Sequence, residues 1–205
     1  MKINLLEIPV IYINLDKDIE KKEKIENSLK ANNFKKIYRS PGVLQGNHIT
    51  GVTLAHEKAL NLASKLGEEI FLILEDDVVF RECFEDKIEV PDDFDAFYLG
   101  NSSWGLKDGN PSSPGQFTEY TFLEEIPNVV RIYNMLSAHA IIYRSKDYIK
   151  KIQEEIIPES KEKTSHLDVE IAKNMREYRI YAFSCPFFYQ TSQAKHVTDV
   201  EFLKK

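Results

Sequence analysis

Ile70-Phe-Leu-Ile-Leu-Glu-Asp-Asp-Val78 is the stretch that decides the fold. Its first five residues are wholly apolar in a run too short for a helix, which predicts a central strand, Ile70 to Leu74, buried on both faces. Gly67 stops whatever precedes it, and three consecutive carboxylates follow it. Upstream, Val52, Ala55, Ala59, Leu62, Ala63 and Leu66 share one face at helical spacing, which predicts a helix from Thr50 to Leu66 with Thr50 as its cap. Further back, Val10 to Leu15 reads as a strand. A charged helix follows from Asp18 to Asn32, with Ile19, Ile25 and Leu29 as a narrow apolar stripe.

Downstream, Ala96 to Leu99 is a short strand. The Gly-, Pro- and Ser-rich stretch from Gly100 to Gln116 surrounds Trp104 and reads as a long loop able to act as a lid. Val129 to Ile132 and Ala138 to Tyr143 are strand-like. Ser145 caps a helix carrying Ile149, Ile152 and Ile156, and Pro158 is expected to stop it. A last helix runs from Leu167 to Glu177 and a last strand from Tyr178 to Ser184, before a polar tail. Alternating strands and helices predict an α/β domain with a mostly parallel sheet, whose ligands gather at the carboxyl ends of strands.

Size and charge narrow the function. The 205 residues, 42% hydrophobic and 29% charged, suit a single domain over 1–205. Its nucleotide-sugar part would lie in about 1–100, its acceptor part in 101–190 and its tail in 191–205. The net charge of −6, from 27 Lys and Arg against 33 Asp and Glu, argues against a nucleic-acid partner but leaves small anionic ligands open. The first residues lack a secretory signal and no apolar run approaches the roughly 18 residues of a membrane span. Peripheral contact with a membrane stays open. Cys83 and Cys185 have neither zinc-ligand spacing nor a disulfide framework's density. They read as buried free thiols in a cytoplasmic protein.

Glu75, Asp76 and Asp77 carry the strongest chemical signal. Adjacent carboxylates repel and raise one another's pKa, and a hard divalent cation such as Mn2+ or Mg2+ would relieve that; a solvated turn is the alternative. Ser165-His-Leu-Asp168 has capping-box spacing, so Asp168 either satisfies a backbone N–H or faces the same sheet edge as a catalytic group. None of His48, His56, His139, His166 and His196 falls in a His-Glu-x-x-His pattern. No phosphate-binding Gly-x-x-x-x-Gly-Lys loop, Gly-x-Gly-x-x-Gly fingerprint or Gly-x-Ser-x-Gly elbow occurs.

Taken in order, these pieces resemble glycosyltransferase family 25, which includes bacterial lipooligosaccharide galactosyltransferases and procollagen galactosyltransferase domains. Val10-Ile-Tyr-Ile-Asn-Leu-Asp16 resembles the family's opening strand, and Gly51-Val-Thr-Leu-Ala-His56 the start of its helix. Ile73-Leu-Glu-Asp-Asp-Val78 resembles its metal motif, Phe94 to Gly100 its next strand, and Leu136 to Asp168 its later strand, helix and aspartate. The resemblance spans Val10 to Gln190, with Ala55 where the family has serine and Lys17, Lys21 and Lys22 in place of an arginine-rich stretch.

The resemblance implies a GT-A-type glycosyltransferase domain, a UDP-sugar donor such as UDP-galactose, a glycan or glycoconjugate acceptor, and a role in glycan biosynthesis. It assigns Mn2+ or a similar cation to Glu75 and Asp77, with His196 completing the coordination. It places Asn14, Leu15, Asp16, His56, Asp76 and Lys195 on the nucleotide sugar, and gives Asp168 the proton of the acceptor hydroxyl in an inverting transfer. Trp104 and its loop would close over the donor and exclude water. Without the resemblance, the same acids also fit a metal-dependent phosphohydrolase or nuclease, or a nucleotide-sugar-binding module without catalysis.

Overall fold

The structure, a computed structural model, describes residues 1–113, 116–190 and 203–204. Fourteen strands are present among them: β1 (Lys2–Asn4), β2 (Val10–Asn14), β3 (Ile37–Pro41), β4 (Phe71–Glu75), β5 (Val78–Phe80), β6 (Lys87–Glu89) and β7 (Ala96–Tyr98) in the first half. The second half adds β8 (Leu106–Lys107), β9 (Asn110–Pro111), β10 (Tyr120–Phe122), β11 (Val129–Ile132), β12 (Ala140–Tyr143), β13 (Ile180–Phe183) and β14 (Phe188–Gln190). The α-helices are α1 (Ile19–Ala31), α2 (His48–Leu66), α3 (Lys146–Lys151), α4 (Ile157–Lys163) and α5 (Leu167–Asn174).

Eight strands form one sheet in the order β10-β11-β13-β7-β12-β4-β2-β3. It is mixed, not mostly parallel. The β2–β3, β2–β4 and β7–β13 pairs are parallel, whereas β12 runs antiparallel to both β4 and β7 and β11 antiparallel to β10 and β13. The reason lies in the connections: helical crossovers join β2, β3 and β4, which parallel pairing requires, while a loop alone joins β10 to its antiparallel neighbour β11. Alternate residues of each strand feed opposite faces. Ile11, Ile13 and Ile73 pack under α2, α4 and α5, and Val10, Tyr12, Leu72 and Leu74 pack with Ile25 and Leu29 of α1. Each such fully buried aliphatic side chain contributes about 1.5–3 kcal/mol. Ile19 is 61% exposed, so the stripe on α1 reduces to Ile25 and Leu29.

Three local expectations are corrected. Helix α2 begins two residues earlier than read, because Asn47, not Thr50, accepts the Ile49 N–H at 2.9 Å. Gly67, at φ 70°, ends it as expected. Pro158 does not stop the helix after Ser145: a π-helical turn at Ile152–Ile156 widens the spiral, and Pro158 sits in the first turn of α4. The Ser165–Asp168 capping box does not form, since the Ser165 hydroxyl donates to Glu170 and the α5 cap is His166 without a side-chain bond. The cysteines are free but half-buried and adjacent, with sulfurs 3.2 Å apart. Among the described residues no helix is long and apolar enough to cross a membrane.

Candidate active site

The parallel strands β2, β3 and β4 end together at Asn14, Pro41 and Glu75. The acids therefore stand at the carboxyl edge of the sheet, where crossovers leave a crevice. The Glu75 N–H is satisfied by the His139 carbonyl at 2.9 Å, so the strand edge is fixed up to the first carboxylate. The chain then turns into β5, which pairs with β14 so that Gln190 lies opposite Val78.

Each acid has a distinct environment. Glu75 accepts from the Gln190 amide at 2.7 Å and meets buried His56 Nε2 at 3.2 Å. Burial pushes its carboxyl up, but the His56 hydrogen bond and charge outweigh it and hold Glu75 below its ordinary value. Asp76 accepts from Asn14 Nδ2 at 2.7 Å and lies 3.4 Å from Lys21 Nζ. Asp77 lies 3.3 Å from the same Gln190 nitrogen. Burial first, and then the charge of Glu75, push the Asp77 carboxyl up, against smaller opposing effects of Gln190 and Lys21. Glu75 and Asp77 thus converge on one donor, and the charge of Glu75 helps to raise Asp77.

These side chains wall a cleft of about 470 Å³ with Asn14, Leu15, Lys21 and the 42–46 segment. Gly51 makes the segment's position attainable: a Cβ there would stand 2.6 Å from the Val43 carbonyl. A second cleft of about 240 Å³ adjoins it, lined by Ser102, Ser137, His139, His166 and Asp168. His48, Val52, Glu75 and Gln190 line both. Asp168 is half-buried and accepts the Val169 N–H at 2.9 Å. Burial is the main cause raising its carboxyl; Glu75 adds to this while His166 opposes it. His139 is buried, with Ser137 Oγ 3.0 Å from Nδ1, and burial lowers its pKa against the opposing charge of Glu75.

Of the residues expected from sequence, Asn14, Leu15, His56, Glu75, Asp76 and Asp77 share the larger cleft, and Asp168 faces the smaller one. Asp16 is not on either wall: its exposed carboxylate pairs with Arg39 at 2.5 Å. Trp104 also lies outside both linings; its carbonyl bonds Leu136 N at 2.9 Å and it bridges to Phe117. Lys195 and His196 lie outside the described residues. Gln190 and Arg39 were not anticipated. Gln190 had no signal beyond its place at the start of a polar tail, and Arg39 sits on β3, whose polar Arg-Ser-Pro stretch obscured a strand.

Among the described residues no group of three or more His, Cys, Asp and Glu side chains is placed to hold a metal ion. Asp77 and Glu75 nevertheless fit a two-carboxylate share of a cation site, because both reach the same point now taken by the Gln190 amide. A larger cleft, of about 840 Å³, lies at the opposite end of β4. Its two arginines are already engaged, Arg179 with Asp95 and Arg144 with Glu69, and among the described residues it holds no group of His, Cys, Asp and Glu placed to hold a metal ion.

A glycosyltransferase involved in the glycosylation of the major capsid of PBCV-1 has a similar structure, with a TM-score of 0.51 at 15% identity over 95% of this chain and 90% of that one. A nucleoside-diphosphate-sugar pyrophosphorylase from Vibrio cholerae RC9 aligns with a TM-score of 0.47 at 10% identity, over 87% of this chain and 73% of that one. A UDP-glucose pyrophosphorylase solved with UDP-glucose aligns at 0.46 and 14%, with the same coverage. No protein-family profile and no curated protein matches the sequence. The first likeness supports a glycosyltransferase-like α/β fold, not family 25 specifically.

Proposed function

We propose that the chain is a metal-dependent glycosyltransferase that moves a sugar from a nucleotide-diphosphate donor to a hydroxyl of a glycan or glycoconjugate. One observation carries this reading: two clefts of different chemistry meet at Glu75, one walled by Asn14, Lys21, Asp76 and Asp77, the other by Asp168. A hydrolase needs room for water beside its acids, whereas a transferase needs a second organic pocket there. The protein of similar fold is by its name a glycosyltransferase, which agrees with sugar transfer; a UDP-sugar donor, UDP-galactose among them, follows from the resemblance to family 25.

In this reading the nucleoside lies against Asn14, Leu15 and the 42–46 segment, with the diphosphate toward Lys21 and Asp77. Mn2+ or Mg2+ held by Asp77 and Glu75 would supply positive charge where the leaving diphosphate gains negative charge. Gln190 gives up its amide contacts when the site is loaded. Asp168 accepts the acceptor hydroxyl's proton as that oxygen attacks the anomeric carbon. Its raised pKa keeps it basic enough for the transfer, and inversion follows from a single displacement.

Calorimetry with UDP-sugars, with and without Mn2+, tests the reading. The wild-type chain should bind in a metal-dependent manner and Asp77→Asn should lose at least tenfold in affinity. Release of UDP should accelerate when acceptor glycans are added. Metal-independent binding, or hydrolysis of phosphodiesters without transfer, overturns it.

A further inference from the structure

Cys83 and Cys185 are 102 positions apart in the chain, yet the Cys185 S–H donates to the Cys83 sulfur at 3.2 Å. Their meeting follows from the register of β5 and β14, in which Phe80 opposes Phe188 and Gln190 opposes Val78. The Arg81 N–H continues that ladder to the Phe187 carbonyl at 2.9 Å, after which the chain turns back, the Phe84 N–H bonding the Arg81 carbonyl, and the Cys83 S–H donates to the Pro186 carbonyl at 3.3 Å. Phe84 packs on Phe187 and Phe188, and Phe80 on Phe188, so both segments are held in place. Both thiols are half-buried, within reach of a small oxidant.

We infer that Cys83 and Cys185 are a redox pair whose oxidation closes a disulfide that clamps β5 to β14. With hydrogen peroxide as oxidant, Cys83 becomes a sulfenic acid and one water leaves. The Cys185 sulfur then attacks the Cys83 sulfur, its proton departs with the hydroxyl as a second water, and the S–S bond remains. Two electrons pass from the thiols to the peroxide. Burial, followed by the neighbouring Cys83, pushes the Cys185 thiol up to about 11, so it is the partner that resolves rather than starts the reaction. The clamp lies beyond one end of the ladder that carries Gln190 to Glu75 and Asp77, so closing it fixes a wall of the acidic cleft.

Oxidation of the full chain with peroxide, then iodoacetamide and peptide mapping, reads the bond directly and does not depend on glycosyl transfer. Both cysteines should lose alkylation together and appear in one linked peptide, and dithiothreitol should restore both. The oxidised chain should melt roughly 5–15 °C higher, because the bond closes a long loop in the unfolded state. Cys83→Ser and Cys185→Ser chains should show no such rise. Two thiols that still alkylate after peroxide, links only between molecules, or a bond that leaves the melting temperature unmoved would overturn the inference.

Discussion

Asp168 and Asp77 are both acids raised by burial, yet their surroundings assign them different work. Asp77 shares the Gln190 amide with Glu75 and feels that neighbour's charge. Asp168 stands in the adjoining cleft with local backbone N–H bonds and the opposing influence of His166. Asp168→Asn should therefore leave metal-dependent donor binding within about twofold while lowering kcat by roughly 10²–10⁴, the usual worth of a general base. Parallel calorimetry and steady-state kinetics check this, and equal loss of binding in Asp168→Asn and Asp77→Asn would contradict the division of labour. The acids themselves were legible in the sequence because three carboxylates after an apolar run have few structural uses. What each one touches was not. Gln190 reaches Glu75 across 115 positions and Asp76 meets Asn14 across 62, and no local pattern encodes such pairings.

Among the elements, α2 decides the shape of the proposed donor cleft, since its first turns pack against the 42–46 segment. Gly51→Ala separates stability from binding there. Alanine gains about 1 kcal/mol of helix propensity over glycine, but its Cβ would stand 2.6 Å from the Val43 carbonyl. Overpacking of that kind costs typically 1–3 kcal/mol, and backbone has to yield. The two effects largely offset each other in the melting temperature, which should move by only a few degrees. The cleft wall shifts nonetheless, so UDP-sugar affinity should fall severalfold with kcat little changed; unchanged affinity would show that the 42–46 segment does not line the donor.

The long periodic elements were readable for a physical reason: α1, α2, β2 and β4 bury apolar residues at fixed spacing. Short strands such as β3, β5 and β14 were not, because their pairing and not their composition makes them strands. Pro158 misled because a π turn, invisible to a 3.6-residue period, relieves its clash.

Across the whole molecule, two populations of buried acids act on stability in opposite senses. Asp95 accepts the Arg179 N–H at 2.7 Å and its guanidinium at 3.1 and 3.2 Å. Burial pushes this carboxyl up, but the Arg179 bonds outweigh it and hold it below its ordinary value of 3.8. Glu170 behaves likewise, its burial outweighed by Lys173 and Ser165. A depressed carboxyl contributes stability that is complete above the unfolded value and lost as pH falls through the lower folded one. The chain should therefore lose stability steeply below about pH 4, and Asp95→Asn should flatten that loss while lowering stability at neutral pH.

Asp168 has the reverse sign, for its folded pKa lies above the unfolded 3.8. The cost to folding therefore sets in as pH rises through the unfolded value and is complete above the folded one, and the two forms are equivalent in charge below the unfolded value. Asp168→Asn should thus melt higher than wild type at about pH 7, with the difference vanishing near pH 3.5. The same substitution that removes the proposed base should stabilise the fold, as expected where an ionised acid is held in a partly dry pocket for chemistry. Thermal denaturation of both chains across that range decides it. A gain that persists unchanged at pH 3.5, or a loss at neutral pH, would mean that Asp168 contributes to folding and is not held at a cost for catalysis.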